Sequence, residues 1–170
     1  VPYGCYQTLG ALHIAFAVVD DDTVTEYRRE LDIDQALARV QYKRGGTRFT
    51  REYFTSAADQ VLAIRLTASR KKALNLTLDL DRPERFETRT AGDNELLMTG
   101  QLPDGSGGGG MRYAVRLRVM NCDGRVEAAG DKLVISEASQ VFLLLGAATD
   151  FNGFAGRHTP DPEGAALQDL

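Results

Sequence analysis

Apolar and polar residues alternate along most of the chain, and the alternation is clearest between Tyr27 and Ser56. Side chains of a β-strand point alternately to opposite faces, so a period of two predicts strands that bury one face. Tyr27, Leu31 and Ile33 form the apolar side of the first strand. The corresponding positions of the next two strands are Ala36, Ala38, Val40 and Tyr42, then Phe49, Arg51 and Tyr53. Gly45-Gly46 joins these two strands and supplies the positive φ angles of a two-residue hairpin turn. The stretch therefore predicts three adjacent antiparallel strands.

The same period continues through the rest of the chain. Further strands are predicted at Tyr6–Val19 (one or two strands), Gln60–Ala68, Leu74–Leu80, Phe86–Arg89, Leu96–Gly100, Met111–Val119, Val126–Ala129, Leu133–Ile135 and Val141–Leu145. The last of these is an unbroken apolar run, which predicts a strand buried on both faces. Ten to twelve short strands with glycine-rich turns and no convincing amphipathic helix predict an all-β fold, an antiparallel β-sandwich or barrel.

The strand pattern stops after Asp150. Residues 151–170 combine a Gly/Pro-rich stretch with a few helix formers. The sequence thus predicts a β-sandwich domain at residues 1–150, followed by the start of a linker at residues 151–170. Since the chain opens on VPYGCYQTLG, without Met or a charged-then-apolar leader, we expect a mature or excised piece of a longer protein.

Composition limits the classes of function. A chain of 170 residues has the size of one domain, and 43% hydrophobic with 26% charged residues is typical of a globular protein in water. The net charge of −4 argues against a general binder of nucleic acid or anionic membranes. No apolar run approaches the roughly 20 residues that span a bilayer.

Two segments resemble ligand-binding loops only superficially. Asp20-Asp21-Asp22 lacks the spaced ligands of a calcium loop and is interpreted as a solvated turn. The segment PDGSGGGG at Pro103–Gly110 lacks the Gly-Lys-Ser or Gly-Lys-Thr of a phosphate loop, and a strand follows it instead of a helix. We therefore predict a flexible hairpin tip there.

The remaining candidates are two histidines and two cysteines. His13 lies on the polar side of its strand, which predicts a surface residue, and His158 lies in the linker without a nucleophile pattern. Cys5 and Cys122 could form one disulfide, although two unpaired thiols are the favoured interpretation. No catalytic, cofactor-binding or metal-binding residue is therefore assigned.

Several blocks resemble glycoside hydrolase family 95, the α-L-fucosidase family. YQTLGALHI at Tyr6–Ile14 is similar to its YQPLGDLHI-type segment, and the blocks at Tyr27–Tyr42 and Thr50–Ala68 are similar to its YRRELDLDTAIARVSY-type and REYFASAPDQVLVIRLTA-type blocks. NELLMTGQL, MRYAVRLRV and LLLGAATDFN follow in the same order, from Asn94, Met111 and Leu143. Thr8 and Ala11 depart from the family pattern, which has proline and often an acid there.

The resemblance implies the N-terminal β-sandwich, of super-sandwich type and incomplete at its N-terminus, of an exported enzyme. In that family a helical linker and an (α/α)₆ barrel follow, and the barrel carries the residues for inverting cleavage of α-1,2-linked fucose. The implied partner is therefore the (α/α)₆ catalytic domain of the same parent chain, with fucosylated glycan as a candidate ligand. An extracellular or periplasmic location is implied as well, and no nucleic acid, membrane or cofactor is expected.

Three hypotheses about function remain at this point. The first is a non-catalytic sandwich of a fucosidase-like hydrolase, inactive alone. The second is an autonomous carbohydrate-binding module, and the third is a structural or dimer-forming domain. The absence of Trp and the inward parity of most of the six Tyr and seven Phe weigh against the second.

Overall fold

Twelve antiparallel strands and one short helix make up the described part of the protein, which comprises residues 7–17, 23–152 and 157–170 of a computed structural model. In chain order the elements are β1 (Ala11–Phe16), β2 (Thr25–Asp32), β3 (Leu37–Arg44), β4 (Thr47–Ser56), β5 (Val61–Ala68), β6 (Leu74–Asp81), β7 (Glu87–Thr90), β8 (Glu95–Pro103), β9 (Gly109–Cys122), β10 (Arg125–Ala129), β11 (Lys132–Ala138), β12 (Gln140–Thr149) and α1 (Pro162–Gln168). The small sheet has the order β1-β6-β11-β10, and the large sheet has the order β2-β3-β4-β5-β12-β9-β8-β7. The predicted all-β sandwich is confirmed.

The hydrophobic core lies between the two sheets. From the small sheet, the alternating leucines of β6 (Leu74, Leu76, Leu78 and Leu80) are all buried. From the large sheet, buried side chains include Ile64, Leu66, Leu96, Met98, Val115, Leu117, Val141 and Leu143. Leucine at every second position therefore forms a strand here, as its period predicts, despite the helix propensity of leucine.

The predicted hairpin turn between β3 and β4 is present. Gly45 and Gly46 have φ angles of +53° and +72°, and Arg44 pairs with Thr47 across the turn. Positive φ at both central residues is the type I′ geometry, whose twist matches that of the flanking strands. The glycine-rich segment is also a hairpin connection as predicted, because it joins β8 to β9.

Arg51 shows why an arginine can occupy the apolar face of a strand. Its guanidinium lies 4.4 Å from the ring centroid of Phe16 and 5.4 Å from that of Tyr42, and it donates a hydrogen bond of 3.1 Å to the Tyr42 hydroxyl. The guanidinium cation therefore lies close to two aromatic rings, whose electron-rich faces attract its charge.

The expected burial of the first strand is wrong. Tyr27 and Leu31 are 61% and 68% exposed, because β2 is the edge strand of the large sheet and its apolar face stays open within the described residues. Ile33 lies beyond the strand, which ends at Asp32 because the Asp32 carboxylate accepts the backbone N–H groups of Asp34 and Gln35 and forms a turn. Ala36 also belongs to this turn, with a φ of +53°.

The run at Val141–Leu145 is buried on one face only. Val141 and Leu143 point into the core and are fully buried, whereas Phe142 and Leu144 on the outer face are half-buried. Complete burial of both faces is therefore wrong for this run. Farther along β12, α1 covers the outer face. In the described residues no helix has the length and apolar character needed to cross a membrane. The division of the chain at residue 150 stays a prediction.

Candidate functional site: the helix-covered face of the large sheet

Helix α1 is a seven-residue helix that its own first turn stabilises. The Asp161 side chain accepts the backbone N–H of Gly164 at 3.0 Å, and Pro162 occupies the first turn, where its missing N–H costs nothing. A helix this short is marginal by itself, so packing must hold it in place.

The packing surface of α1 is made of small residues. Ala165 and Ala166 are buried against Leu97, Ala114 and Ala148 on the outer face of the large sheet. A Cβ at Gly146 would lie 3.1 Å from the carbonyl oxygen of Ala166, so the glycine permits this close approach. The helix therefore packs closely on the outer face of β8, β9 and β12.

Beside this packing surface lies a cluster of charged side chains that we call the helix-docking network. Its members are Arg89, Glu95, Arg116, Arg118 and Glu163. Arg116 and Glu95 form an ion pair across β9 and β8 and are only 7% and 4% exposed. The second carboxylate oxygen of Glu95 accepts a hydrogen bond of 2.7 Å from Arg118. Two arginines therefore neutralise one buried carboxylate.

Glu163 connects this network to the helix. Its carboxylate lies 3.2 Å from Arg116 and 3.1 Å from Arg89, and its backbone carbonyl accepts a hydrogen bond of 3.4 Å from Arg116 Nε. One arginine thus binds both the sheet and the helix. Buried ionic groups need several partners at defined positions, and α1 supplies two of the partners of the buried Arg116.

A second set of contacts anchors the connector between β12 and α1. Arg112 donates to Asp150 from its backbone N and its Nε, both at 2.8 Å, and donates to the carbonyl of Pro160 at 2.7 Å. Burial opposes the charged form of Asp150, but the hydrogen bonds from Arg112 outweigh it and hold the pKa of Asp150 below its usual value. Arg157 pairs with Asp169 at 2.6 and 2.8 Å.

Next to these contacts lies an open cleft of about 270 Å³, which we call the connector cleft. It is lined by Asp150, Phe151, Asn152, His158, Thr159 and Pro160. The Phe151 ring is 62% exposed, and His158 Nδ1 lies 2.5 Å from the side-chain oxygen of Asn152. His158, which the sequence left without a role, is therefore part of a concave surface.

The other histidine behaves as predicted and has acidic neighbours. His13 is exposed and lies 3.0 Å from Asp81, which raises the pKa of His13 above 6.5, chiefly through this hydrogen bond. Asp79 completes a group whose potential ligand atoms lie within 4.8 Å of one another, but Lys132 approaches Asp79 to 3.6 Å. The antiparallel pairing of β1 with β6 brings these residues together, and the sequence analysis did not combine them. They pair with each other and with lysine, so we assign them no ligand.

The remaining sequence candidates carry no site. Cys122 is a half-buried free thiol, and burial raises the pKa of this thiol. Cys5 and Asp20-Asp21-Asp22 lie outside the described residues. In the glycine-rich connection, Asp104 accepts the backbone N–H groups of Ser106 and Gly108, which lowers the pKa of Asp104. That carboxylate therefore serves its own turn.

The outer face of β2 to β5 offers a contrast to the helix-docking network. Glu30, Arg39, Glu52 and Arg65 form a ladder of ion pairs at 2.9–3.8 Å across these strands. Their side chains remain 22–53% exposed. These charged groups pair with one another on an open sheet face, so we assign them no ligand.

A family model described as "Glycosyl hydrolase family 65, N-terminal domain" matches residues 2–153. The chain belongs to this family. The predicted identity as the N-terminal sandwich of a glycoside hydrolase is thereby confirmed, while the matching model carries the number 65 and not the expected 95.

Curated relatives of this glycosyl hydrolase N-terminal domain are named as fucosidases. The chain is 30% identical over 173 residues to alpha-L-fucosidase 2 of Arabidopsis thaliana and 27% identical over 163 residues to probable alpha-fucosidase A of Aspergillus oryzae. The matches cover 89% and 94% of this chain but only 20% and 22% of the relatives. The chain thus spans about a fifth of the length of these proteins.

A solved structure supports the fold alone. The structure named "Putative kojibiose phosphorylase from human microbiome" has a TM-score of 0.56 and 11% sequence identity, over 85% of this chain and 22% of that protein. At this identity the similarity concerns architecture and not activity.

Proposed function

We propose that this chain is the non-catalytic N-terminal sandwich of a glycoside hydrolase and that it positions a catalytic domain that follows it. The observation that carries the proposal is the docking of α1 by Arg116, which binds Glu95 on the sheet and Glu163 on the helix. A segment held in one position directly after a sandwich is what a rigid junction between two domains requires. The fivefold greater length of the relatives leaves ample room for such a domain.

The parent enzyme is proposed to resemble the inverting α-L-fucosidases of family 95. It would cleave terminal α-1,2-linked fucose in an (α/α)₆ catalytic domain of the same chain, at an extracellular or periplasmic location. The fucosidase names of the Arabidopsis and Aspergillus relatives support the sugar, and the sequence blocks resembling family 95 support the linkage and the stereochemistry.

Hydrolysis assays test the non-catalytic role. The purified chain is incubated with 2′-fucosyllactose and with a nitrophenyl α-L-fucoside, and free fucose is measured. The Arabidopsis relative serves as the positive control, and heat-denatured chain serves as the blank. We expect no release above the blank, because the buried carboxylate of Glu95 is paired with Arg116 and Arg118 and is therefore not free to act as an acid or base. Fucose release that grows in proportion to the concentration of the chain would refute the proposal.

Binding of a fucosylated glycan is the second candidate function. The exposed ring of Phe151 in the connector cleft favours it over the sequence-based expectation that the aromatic residues point inward. A dimer-forming role has no specific support from the described residues.

A further inference from the structure

Hydrogen bonds hold both walls of the connector cleft. Arg112 binds Asp150 on one wall and the carbonyl of Pro160 on the other. Thr159 exchanges hydrogen bonds of 3.0 and 3.1 Å with the backbone of Asp161 at the start of α1. Both walls are therefore held at set positions before any ligand binds, which lowers the entropy cost of binding.

The polar groups of the cleft are incompletely used. His158 Nδ1 lies 2.5 Å from Asn152 Oδ1; in the neutral tautomer that carries its proton on Nδ1, His158 donates to Asn152 and its Nε2 is an acceptor. Within the described residues, neither His158 Nε2 nor the amide nitrogen of Asn152 has a hydrogen-bond partner. The cleft therefore offers one acceptor and two N–H donors, the complement of a sugar hydroxyl that both donates and accepts.

An apolar surface lies among these polar groups. Phe151 presents a ring that is 62% exposed. Transfer of a phenyl ring from water to an apolar surface lowers the free energy, so this ring favours contact with an apolar surface of a ligand. The C–H groups on one face of a pyranose ring can pack on such a ring while its hydroxyl groups bind to Asn152 and His158. An aromatic surface with a few placed polar groups is the usual composition of a small-molecule site.

The size and the charge of the cleft restrict the class of ligand further. The volume of about 270 Å³ lies just below the roughly 300–1,000 Å³ of sites for drug-sized molecules, so the cleft itself holds about one sugar ring. Asp150 and Arg112 pair with each other, so the lining offers no unpaired charge that would favour an ionic ligand. A neutral monosaccharide unit meets both conditions.

We propose that the connector cleft is a subsite for one neutral pyranose unit of a glycan, with Phe151 as the stacking surface and Asn152 and His158 as hydrogen-bonding groups. The choice of a sugar as the ligand class rests on the proposed function in a glycoside hydrolase. The subsite places glycan next to α1, where the chain leaves the sandwich. Glycan bound there would contact both the sandwich and whatever domain follows.

Titration of the isotope-labelled chain with L-fucose tests the subsite. Two-dimensional amide NMR spectra are recorded during addition of L-fucose, of 2′-fucosyllactose and of the acyclic polyol mannitol. We expect saturable shifts at residues 150–152 and 158–160 with both sugars, and a dissociation constant on the order of 1 mM, since a single sugar has few atoms with which to bind. Mannitol offers hydroxyl groups without a ring face and should cause no shifts there.

Substitutions test whether the NMR shift changes arise from binding in the cleft. Phe151→Ala should weaken L-fucose binding at least tenfold, and His158→Ala should weaken it by a smaller factor. Phe54→Ala removes another exposed ring, 43% exposed on β4, and should leave the affinity unchanged. Phe151 and Phe54 are both exposed, and equal melting temperatures would confirm that each variant folds.

Four results would overturn the subsite. The sugars could cause no saturable shifts, or shifts at residues away from the cleft. Mannitol could cause shifts as large as those with the sugars, or Phe151→Ala and Phe54→Ala could lower the affinity for L-fucose equally. These outcomes are distinct from failure of the proposed function, which is fucose release by the chain itself. A chain that neither binds nor cleaves fucose loses the subsite and keeps the scaffold role.

Discussion

The buried ion pair beneath α1 leads to a quantitative prediction for Glu95→Ala. Glu95 is 4% exposed, and its carboxylate accepts from both Arg116 and Arg118. Among the described residues, alanine would leave Arg116, 7% exposed, with Glu163 alone to neutralise it. Removing one partner of a buried pair costs roughly 3–5 kcal/mol, because the remaining charge stays desolvated. Arg118, which is 24% exposed on its side chain, can reach water and adds little to this loss.

The matched control is Glu30→Ala. Glu30 also pairs with two arginines, Arg28 at 2.5 Å and Arg39 at 3.1 Å, on the outer face of the same sheet. Its side chain is 30% exposed, and exposed pairs contribute about 1 kcal/mol or less. The two variants therefore remove the same group from the same kind of pair and differ mainly in burial.

Urea unfolding followed by circular dichroism measures both variants. We expect Glu95→Ala to lower the free energy of unfolding by roughly 3–5 kcal/mol at an unchanged m-value, which corresponds to a fall in melting temperature on the order of 10 °C. Glu30→Ala should change it by less than about 1 kcal/mol. Equal effects of the two variants would refute the reasoning, since burial under α1 would then have no energetic consequence.

Three further predictions concern single groups. Glu163→Ala should accelerate hydrogen exchange of the α1 amides while core amides of the sheets keep their protection, because the helix loses its side-chain ion pairs with Arg116 and Arg89; unchanged exchange would contradict this. The pKa of His13, measured by NMR titration, should lie above 6.5 and fall in Asp81→Asn. The stabilisation from the pair should be fully present below pH 6.5 as long as Asp81 is ionised, and it should disappear as pH rises through the raised pKa; an unchanged value in the variant would contradict the pairing. Gly100→Ala should lower the free energy of unfolding by roughly 1–3 kcal/mol or more in urea, because a Cβ there would lie 2.1 Å from the carbonyl oxygen of Arg85; a stable variant would contradict that contact.

Local signals in the sequence predicted the strands and the turns of the sandwich well. The Gly45-Gly46 turn depends on the φ angles of two adjacent residues, and the leucine period of β6 depends on positions within one strand. Both are properties of a short segment, which sequence reasoning can evaluate without knowing the partner. The same holds for the turn that Asp104 organises between β8 and β9.

The sequence did not predict whether another element covers a given face of the sheet, because the covering element is distant in the sequence. Tyr27 and Leu31 alternate as clearly as the leucines of β6, yet their face stays open. Arg116 and Glu95 look like the exposed ladder on β2 to β5, yet α1 covers them. The helix itself has only seven residues, too few for a 3.6-residue period, and its only early signal is the Asp161-Pro162 start.

The interdependence of α1 and the network beneath it yields a last prediction. The cost of Glu95→Ala arises because the helix keeps water away from Arg116. A chain truncated after Pro160 lacks α1, so Arg116 becomes accessible to water and its unpaired charge is solvated. We therefore expect Glu95→Ala to cost less than about 1 kcal/mol in the truncated chain.

The comparison forms a double-mutant cycle of four proteins: the full chain, the truncated chain and Glu95→Ala in each. Urea unfolding of all four should give a coupling energy of roughly 2–4 kcal/mol between the helix and the glutamate, the difference between a buried and an exposed pair. Additive effects would mean that the pair is desolvated without the helix. The sandwich alone would then hold the buried charges, and α1 would have no part in selecting their arrangement.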